Sequence, residues 1–260
     1  MIPKTIHYCW FGRGTMSELM NKCVDSWKKY CPDYEIIEWN EDNFDINCND
    51  FVKEAYEAKK WAFVSDVARL WVLFNHGGVY MDTDCELIKP IDDFMESEGF
   101  SGFETPEIVP TAIMGCVKSH KFIGDLLSYY DLKRFKVAEN QYDTVPNTRI
   151  ISHEALKHGI RLDNTLQTVA DFTFYPTEYF CPKDYGTSKI TLTPNTHSIH
   201  HFTSSWYDED KLRMRRVQVF LVKTFGVKLG PNVYKVYREY VNTGFFGMIK
   251  RIWGKLWRRK

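Results

Sequence analysis

The chain has 260 residues, 44% of them hydrophobic, so it can bury a core as one large domain, or as one domain with a helical appendage. Its 34 basic and 34 acidic residues give a formal net charge of zero. No run of about 18 uncharged apolar residues is present, which argues against a membrane span.

The charges are distributed unevenly along the chain. Residues 211–260 hold 14 of the 34 Lys and Arg side chains and one acid, Glu239, so the body before them is acidic. An acidic body argues against nucleic acid as the main partner. A basic C-terminal segment instead favours an anionic surface.

Cysteine usage and the N-terminus bear on the compartment. Seven cysteines without a Cys-x-x-Cys pair suit neither a disulfide framework nor a zinc ribbon, so we expect a reducing cytosol. The first residues lack the basic, apolar and small-residue pattern of a secretory signal. We therefore expect a cytoplasmic protein whose mature chain begins at Met1.

The predicted elements alternate between strands and helices. Strands are predicted over 4–10, 34–39, 79–84, 99–103, 112–117, 169–175 and 198–202, and helices over 17–30, 52–75, 121–130 and 152–158. This order predicts an α/β protein with a mostly parallel sheet and helices on both faces. Since ligands bind at the carboxyl ends of such strands, Trp10, Asp84 and His200 are expected to meet around one ligand.

The segment 77–84 reads Gly-Gly-Val-Tyr-Met-Asp-Thr-Asp and carries the clearest chemical signal. On an extended strand, Asp82 and Asp84 project to the same face while Thr83 faces away. A divalent cation relieves the repulsion between two carboxylates and keeps coordination sites for phosphate oxygens. An Asp-x-Asp triplet alone is more often a solvated loop, but the apolar run before it favours a metal site at a strand end.

Asp66 and Arg69 lie three residues apart on a predicted helix and share one face. They form either an internal ion pair or a pair that binds the hydroxyl groups of a sugar. Trp10 ends the first strand, where it either packs in the core or stacks on a nucleobase. Of His200 and His201, only one can face a metal site, because neighbouring residues on a strand point to opposite sides.

The segment 244–260 places apolar residues at helical spacing among Lys and Arg. This pattern is typical of a helix that lies in an anionic membrane interface. The alternative is a C-terminal helix that docks on the domain and leaves its charges solvated. We expect two parts, a catalytic domain over 1–210 and a helical, basic, membrane-associating segment over 211–260.

Four motifs occur in order along the first 207 residues and resemble those of glycosyltransferase family 32. They cover residues 6–12, 65–69, 77–84 and 200–206. That family includes bacterial capsular polysaccharide transferases and fungal mannosyltransferases, and it is distantly similar to the catalytic domain of the clostridial glucosylating toxins. The resemblance implies a GT-A fold and a hexosyltransferase that retains the anomeric configuration.

The resemblance also implies ligands and roles for individual residues. The cofactors are Mn²⁺ or Mg²⁺ and a nucleotide-sugar, with a UDP-hexose favoured over GDP-mannose. Donor-binding roles fall on Tyr8, Trp10, Asp66, Arg69, Asp82, Ser205 and Trp206. Metal-binding roles fall on Asp82, Asp84 and a histidine, with His200 preferred and His201 as the alternate. The residues assigned to catalysis are Asp66, Arg69, Asp82 and Asp84.

The expected acceptor is a glycan or lipid-linked oligosaccharide of bacterial surface polysaccharide synthesis, at the inner face of the membrane. Two rival classes of function remain. A metal-dependent hydrolase of nucleotide-sugars or phosphoesters would replace the acceptor with water. A non-catalytic nucleotide-binding or membrane-binding module would not need the paired carboxylates.

Overall fold

The computed structural model describes residues 1–110, 112–139, 141–203 and 209–257, with the backbone alone over 245–257. Its strands are β1 (Thr5–Cys9), β2 (Glu35–Trp39), β3 (Gly78–Met81), β4 (Cys85–Leu87), β5 (Gly99–Gly102), β6 (Ile113–Cys116), β7 (Lys136–Ala138), β8 (Gln141–Tyr142), β9 (Gln167–Val169), β10 (Phe172–Tyr175) and β11 (Ser198–His200). Its helices are α1 (Glu18–Tyr30), α2 (Asp50–Glu57), α3 (Trp61–His76), α4 (Lys121–Ser128), α5 (Asn147–Lys157), α6 (Thr177–Phe180) and α7 (Glu209–Trp257).

Seven strands form the main sheet in the order β2-β1-β3-β6-β5-β10-β9. β1 is parallel to both β2 and β3, and β10 is parallel to β5. β6 is antiparallel to β3 and β5, and β9 is antiparallel to β10. Five strands therefore run in one direction and two in the other, which confirms the predicted α/β architecture with a mostly parallel sheet.

Helices cover both faces of this sheet, as the alternation of side chains along β3 shows. Val79 and Met81 point into the apolar cluster that contains Trp27 of α1. Tyr80 points to the opposite face, into the cluster formed with α3 and α4. Because a fully buried strand has apolar neighbours on both sides, β3 reads as a continuous apolar run in the sequence.

Two local signals place elements as predicted. Ser17 is the N-cap of α1, and its hydroxyl oxygen accepts a hydrogen bond from the Met20 N–H at 3.3 Å. α3 ends at His76, because Gly77 and Gly78 take φ values of 69° and 93°. A Cβ on Gly78 would lie 2.7 Å from the Thr5 carbonyl oxygen, so glycine is required where the chain enters β3.

Two predicted elements are divided in the structure. The helix predicted over 52–75 is α2 and α3, because Lys59 takes a left-handed φ of 56° between them. The strand predicted over 169–175 is the hairpin β9–β10, whose turn places Ala170 and Asp171 at positive φ. Apolar periodicity continues across both breaks, so the sequence pattern did not reveal them.

β11 is not part of the main sheet, so the prediction that residues 198–202 complete that sheet is wrong. β11 pairs antiparallel with β4 in a separate two-stranded sheet, with Ile199 opposite Glu86 and His200 opposite Cys85. The physical reason is the tight turn after β3, which takes β4 away from the main sheet. β11 then finds its hydrogen-bond partners on β4.

The contacts divide the chain into two units. The first unit comprises Met1–Lys183 and Ile190–Thr203 and holds both the main sheet and the β4–β11 pair. The second comprises Asp184–Lys189 and the C-terminal part that contains α7. The domains 1–210 and 211–260 stay a prediction.

Within the second unit, α7 is interrupted at Gly226 and Gly244, which have non-helical backbone angles. The Arg215 guanidinium lies 3.5 Å from the centroid of the Tyr185 ring and donates a hydrogen bond to the Tyr185 carbonyl. Among the helices of the described residues, none combines the length and apolar character needed to cross a bilayer.

Candidate active site

The Asp-x-Asp triplet lies in a tight turn between β3 and β4. β3 ends at Met81, and the Cys85 N–H donates to the Asp82 carbonyl at 2.9 Å across the turn. The expectation that both acids extend from one face of a strand is therefore wrong. The turn itself brings the side chains of Asp82 and Asp84 toward one point.

Three potential ligand atoms converge at this turn. Asp82, Asp84 and His200 each offer an atom within 4.8 Å of the other two. His200 ends β11, and its Nε2 lies 3.5 Å from Asp84 Oδ1. Two carboxylates and an imidazole are ligands that a divalent transition metal accepts, so the residues present fit the predicted cation.

Asp84 is held by the segment that follows β11. The N–H and the hydroxyl of Thr203 both donate to Asp84 Oδ2 at 2.8 Å. The backbone N–H of His201 donates to the Asp84 carbonyl at 2.9 Å. Phe202 adopts a left-handed φ of 56°, a costly conformation for a bulky residue that often marks a functional site.

The charges of Asp84 and His200 depend on each other. Burial disfavours the ionised form of Asp84, but the attraction of His200 and hydrogen bonds from His200 and Thr203 outweigh it and lower the Asp84 pKa. Burial likewise opposes the charge of His200, while the neighbouring Asp84 raises the pKa of its imidazole well above the ordinary value. Each of the two side chains therefore favours the charged form of the other.

Asp66 and Arg69 are part of the same polar network. Arg69 Nη2 lies 3.3 Å from Asp66 Oδ1 and 3.1 Å from Asp82 Oδ1, so the predicted internal ion pair forms and extends to the Asp-x-Asp turn. The guanidinium also lies 4.6 Å from the centroid of the Tyr80 ring. Burial and the nearby Asp82 raise the pKa of Asp66 to about 6, and Arg69 opposes this shift.

His201 faces away from the three-residue cluster. Its Nε2 lies 2.8 Å from Glu86 Oε2, and Lys22 Nζ lies 2.8 Å from the other oxygen of that carboxylate. Neighbouring residues at a strand end point to opposite sides, as the sequence analysis required of this pair. The structure thus brings His200, and not His201, to the two aspartates.

The aromatic residues predicted to bind the donor make other contacts. The Tyr8 hydroxyl donates to Glu38 Oε2 at 2.7 Å, and the Tyr8 ring packs edge-on against Trp27. Trp10 Nε1 donates to the Gly14 carbonyl at 2.6 Å. None of these contacts involves the acidic cluster. Ser205 and Trp206 lie outside the described residues.

Three residues that the sequence analysis did not assign take part in the site. Thr203 binds Asp84, and the Tyr80 hydroxyl donates to Asp82 Oδ1 at 3.2 Å. Tyr80 lies in the motif over 77–84 and Thr203 in the motif over 200–206, so membership of these motifs is the sequence signal that could have identified them. Glu104 Oε2 lies 3.7 Å from His200 Nδ1, and burial raises the pKa of this carboxyl group. Only the fold brings Glu104 here.

The chain is similar to known glycosyltransferases. Residues 17–101 match the family described as "Glycosyltransferase sugar-binding region containing DXD motif". "Inositol phosphoceramide mannosyltransferase 3" of Schizosaccharomyces pombe is 26% identical over 47% of this chain and 35% of its own length. "Mannosyl phosphorylinositol ceramide synthase CSH1" of Saccharomyces cerevisiae is 26% identical over 84% of this chain and 56% of its own length. The chain thus spans about a third to just over half of these relatives.

Two solved structures are also similar. "PaToxG Glycosyltransferase" is 18% identical with a TM-score of 0.45, over 60% of this chain and 68% of its own. A glycosyltransferase involved in glycosylation of the major capsid of PBCV-1 is 14% identical with a TM-score of 0.45, over 76% of this chain and 94% of its own.

The matched region includes the Asp66–Arg69 pair and the Asp82–Asp84 turn, two of the parts from which the site is built. Residues 17–101 therefore match a glycosyltransferase sugar-binding region with a DXD motif, and the predicted resemblance of the chain to glycosyltransferases is confirmed.

Proposed function

We propose that the protein transfers a hexose from a nucleotide-sugar to a lipid-linked acceptor in a reaction that requires a divalent cation, Mn²⁺ or Mg²⁺. The observation that carries this proposal is the convergence of Asp82, Asp84 and His200 beside the Asp66–Arg69 pair, within a matched glycosyltransferase region. The resemblance to family 32 supports transfer with retention of the anomeric configuration.

The residues of the site would hold the cation and position the donor. A bound cation would supply positive charge for the leaving nucleoside diphosphate. Arg69 offers fixed N–H donors next to Asp82, where they can hold a sugar hydroxyl or a phosphate oxygen. Asp66 lies on the other side of Arg69 and can accept a hydrogen bond from a donor-sugar hydroxyl. These groups are preorganised, so they stabilise charge without reorganisation during transfer.

Mannose is the donor sugar that the relatives support. Both yeast relatives are named for the transfer of mannose, whereas the resemblance to family 32 favours a UDP-hexose. The choice between GDP-mannose and a UDP-hexose depends on the contacts to the nucleobase. Of the residues predicted to bind the donor, Tyr8 lies on β1 and Trp10 directly follows it.

A lipid head group is the acceptor class that we propose. The yeast relatives are named for an inositol-containing ceramide lipid, whereas the sequence predicts a glycan or lipid-linked oligosaccharide of bacterial surface polysaccharide synthesis. The basic, aromatic segment 244–260 provides the means to reach a lipid at an anionic surface. We propose that the protein acts as a peripheral protein on the cytoplasmic face of the membrane.

A thermal-shift screen tests donor and cation together. We expect GDP-mannose or a UDP-hexose to raise the melting temperature of the full chain only when Mn²⁺ is present, because a ligand that binds the native state stabilises it by mass action. The matched control is Asp84→Asn, which should abolish the shift. The absence of a shift with any donor would contradict the proposal.

A time course with the stabilising donor separates transfer from hydrolysis. Glycosylated inositol phospholipid should accumulate faster than free sugar when the lipid is present. Free sugar at the same rate with and without lipid would instead identify a hydrolase.

Membrane association has its own test. We expect deletion of 244–260 to move the protein from the membrane pellet to the soluble fraction, since about 1 kcal/mol of attraction to anionic lipid is lost per Lys or Arg removed. The measurement is fractionation of cells followed by immunoblotting. An unchanged distribution would disprove a membrane role for this segment.

A further inference from the structure

The second nitrogen of His200 has no hydrogen-bond partner although it is buried. Nε2 faces Asp84, whereas Nδ1 is shielded from solvent and makes no hydrogen bond. A buried polar atom without a partner costs roughly 1–3 kcal/mol. Such an atom next to a candidate metal site calls for an explanation.

The nearest acidic group to this nitrogen is Glu104. Its Oε2 lies 3.7 Å from His200 Nδ1, and its side chain is only 19% exposed. This distance exceeds that of a hydrogen bond by less than about 1 Å, a gap that a small rotation of the side chain closes. Glu104 therefore faces Nδ1, whereas Asp84 faces Nε2.

We propose that Glu104 is a positioning residue for His200. It accepts the Nδ1–H hydrogen bond and so keeps Nε2 directed toward Asp82 and Asp84. Histidines that bind metals usually donate their other ring N–H to a carboxylate or a carbonyl, which fixes both tautomer and ring orientation. This inference rests on the cation site of the proposed function and assigns to Glu104 a role in how tightly that cation is held.

The chain around Glu104 is anchored well enough to position a carboxylate. Phe103 is fully buried, and its N–H donates to the Tyr175 carbonyl at 2.8 Å. The Glu104 N–H donates to the Ile108 carbonyl at 2.9 Å. On the histidine side, the Phe202 ring lies 4.1 Å from the imidazole and limits its tilt.

Direct coordination by Glu104 is the competing role. Among the described residues, the group whose ligand atoms lie within mutual reach consists of Asp82, Asp84 and His200, and it does not include Glu104. Glu104 faces the nitrogen of His200 that points away from Asp84. The geometry thus favours action through His200.

Mn²⁺ binding to the full chain without donor or acceptor tests the proposal, measured by titration calorimetry. We expect Glu104→Ala to weaken Mn²⁺ binding by about 10–100-fold, the usual effect of removing such a partner. Glu104→Gln keeps an acceptor oxygen at the same place and should lose much less. Glu107→Gln, an exposed glutamate in the same loop, is the matched control and should bind as the unaltered chain does.

A double-mutant cycle shows whether Glu104 acts through His200. In a His200→Ala background, Glu104→Ala should cause no further loss, because the imidazole that it positions is gone. An undiminished loss in that background, or equal losses for Glu104→Gln and Glu104→Ala, would overturn the proposal. Normal Mn²⁺ binding by Glu104→Ala would overturn it while leaving the proposed function intact. Failure of the unaltered chain to bind Mn²⁺ would overturn both.

Discussion

The first unit buries most of its large apolar side chains, whereas the C-terminal helix α7 exposes several of its own. In the first unit, large side chains such as Trp27 and Phe100 are fully buried against the main sheet. Along α7, Phe220, Val227 and Leu229 are 64%, 66% and 54% exposed. Scattered exposed apolar residues are normal at a protein surface and contribute little to stability. The comparison indicates that buried apolar contacts stabilise the first unit, whereas these three side chains of α7 add little to its stability.

The largest expected difference between the two regions is in stability. Trp27→Ala should lower the free energy of unfolding by about 3–5 kcal/mol, because the indole is buried and its Nε1 donates to the Cys85 carbonyl at 2.7 Å. Phe220→Ala should change it by no more than about 0.5 kcal/mol, as at most exposed positions. Urea unfolding followed by circular dichroism measures both. Similar costs for the two variants would show that Phe220 packs against the protein.

Activity should separate the regions as well. Asp84→Asn should reduce transfer by about 10²–10³-fold, or about 3–4 kcal/mol, because it removes a charge where the leaving group must be stabilised. Deletion of 244–260 should leave transfer to a detergent-solubilised acceptor unchanged. Steady-state rates at saturating Mn²⁺ provide the measurement, with the exposed Asp93→Asn as control. Equal losses for Asp84→Asn and the deletion would remove the functional distinction between the regions.

The pH dependence of stability should also originate in the first unit. His7 is buried, accepts a hydrogen bond from Trp39 Nε1 at 3.1 Å, and donates to the Gly77 carbonyl at 3.0 Å. Burial lowers its pKa to about 4; the Gly77 bond opposes this shift and the nearby His76 adds to it. As the pH falls, His7 therefore binds a proton near pH 6.5 in the unfolded chain but only near pH 4 in the folded chain.

The contribution of His7 to the free energy of unfolding is therefore lost as the pH falls, by about 3 kcal/mol in total between pH 6.5 and 4. Urea unfolding across this range, compared with His7→Gln, measures the contribution. The glutamine amide can make both hydrogen bonds without titrating, so the difference between the two proteins should shrink as the pH falls. Parallel curves would show that His7 is not responsible.

Local sequence signals predicted much of the first unit. Ser17 marked the start of α1, and Gly77 and Gly78 marked the end of α3, because a hydrogen-bonding cap and a left-handed backbone have strong residue preferences. The motifs around Asp66, Arg69, Asp82 and Asp84 also contain residues that the fold brings together. The roles proposed for Tyr8 and Trp10 stay predictions.

The sequence by itself determined which side chains could form a cation site and where most elements begin and end. Only the tertiary structure decided that Asp82 and Asp84 lie in a turn. It also decided that His200 rather than His201 lies next to them, and that Glu104 faces the other ring nitrogen of His200. The reason is the pairing of β4 with β11, a contact between residues more than a hundred positions apart. Local propensity carries no information about such a pairing, because it depends on which edge the folded chain leaves available.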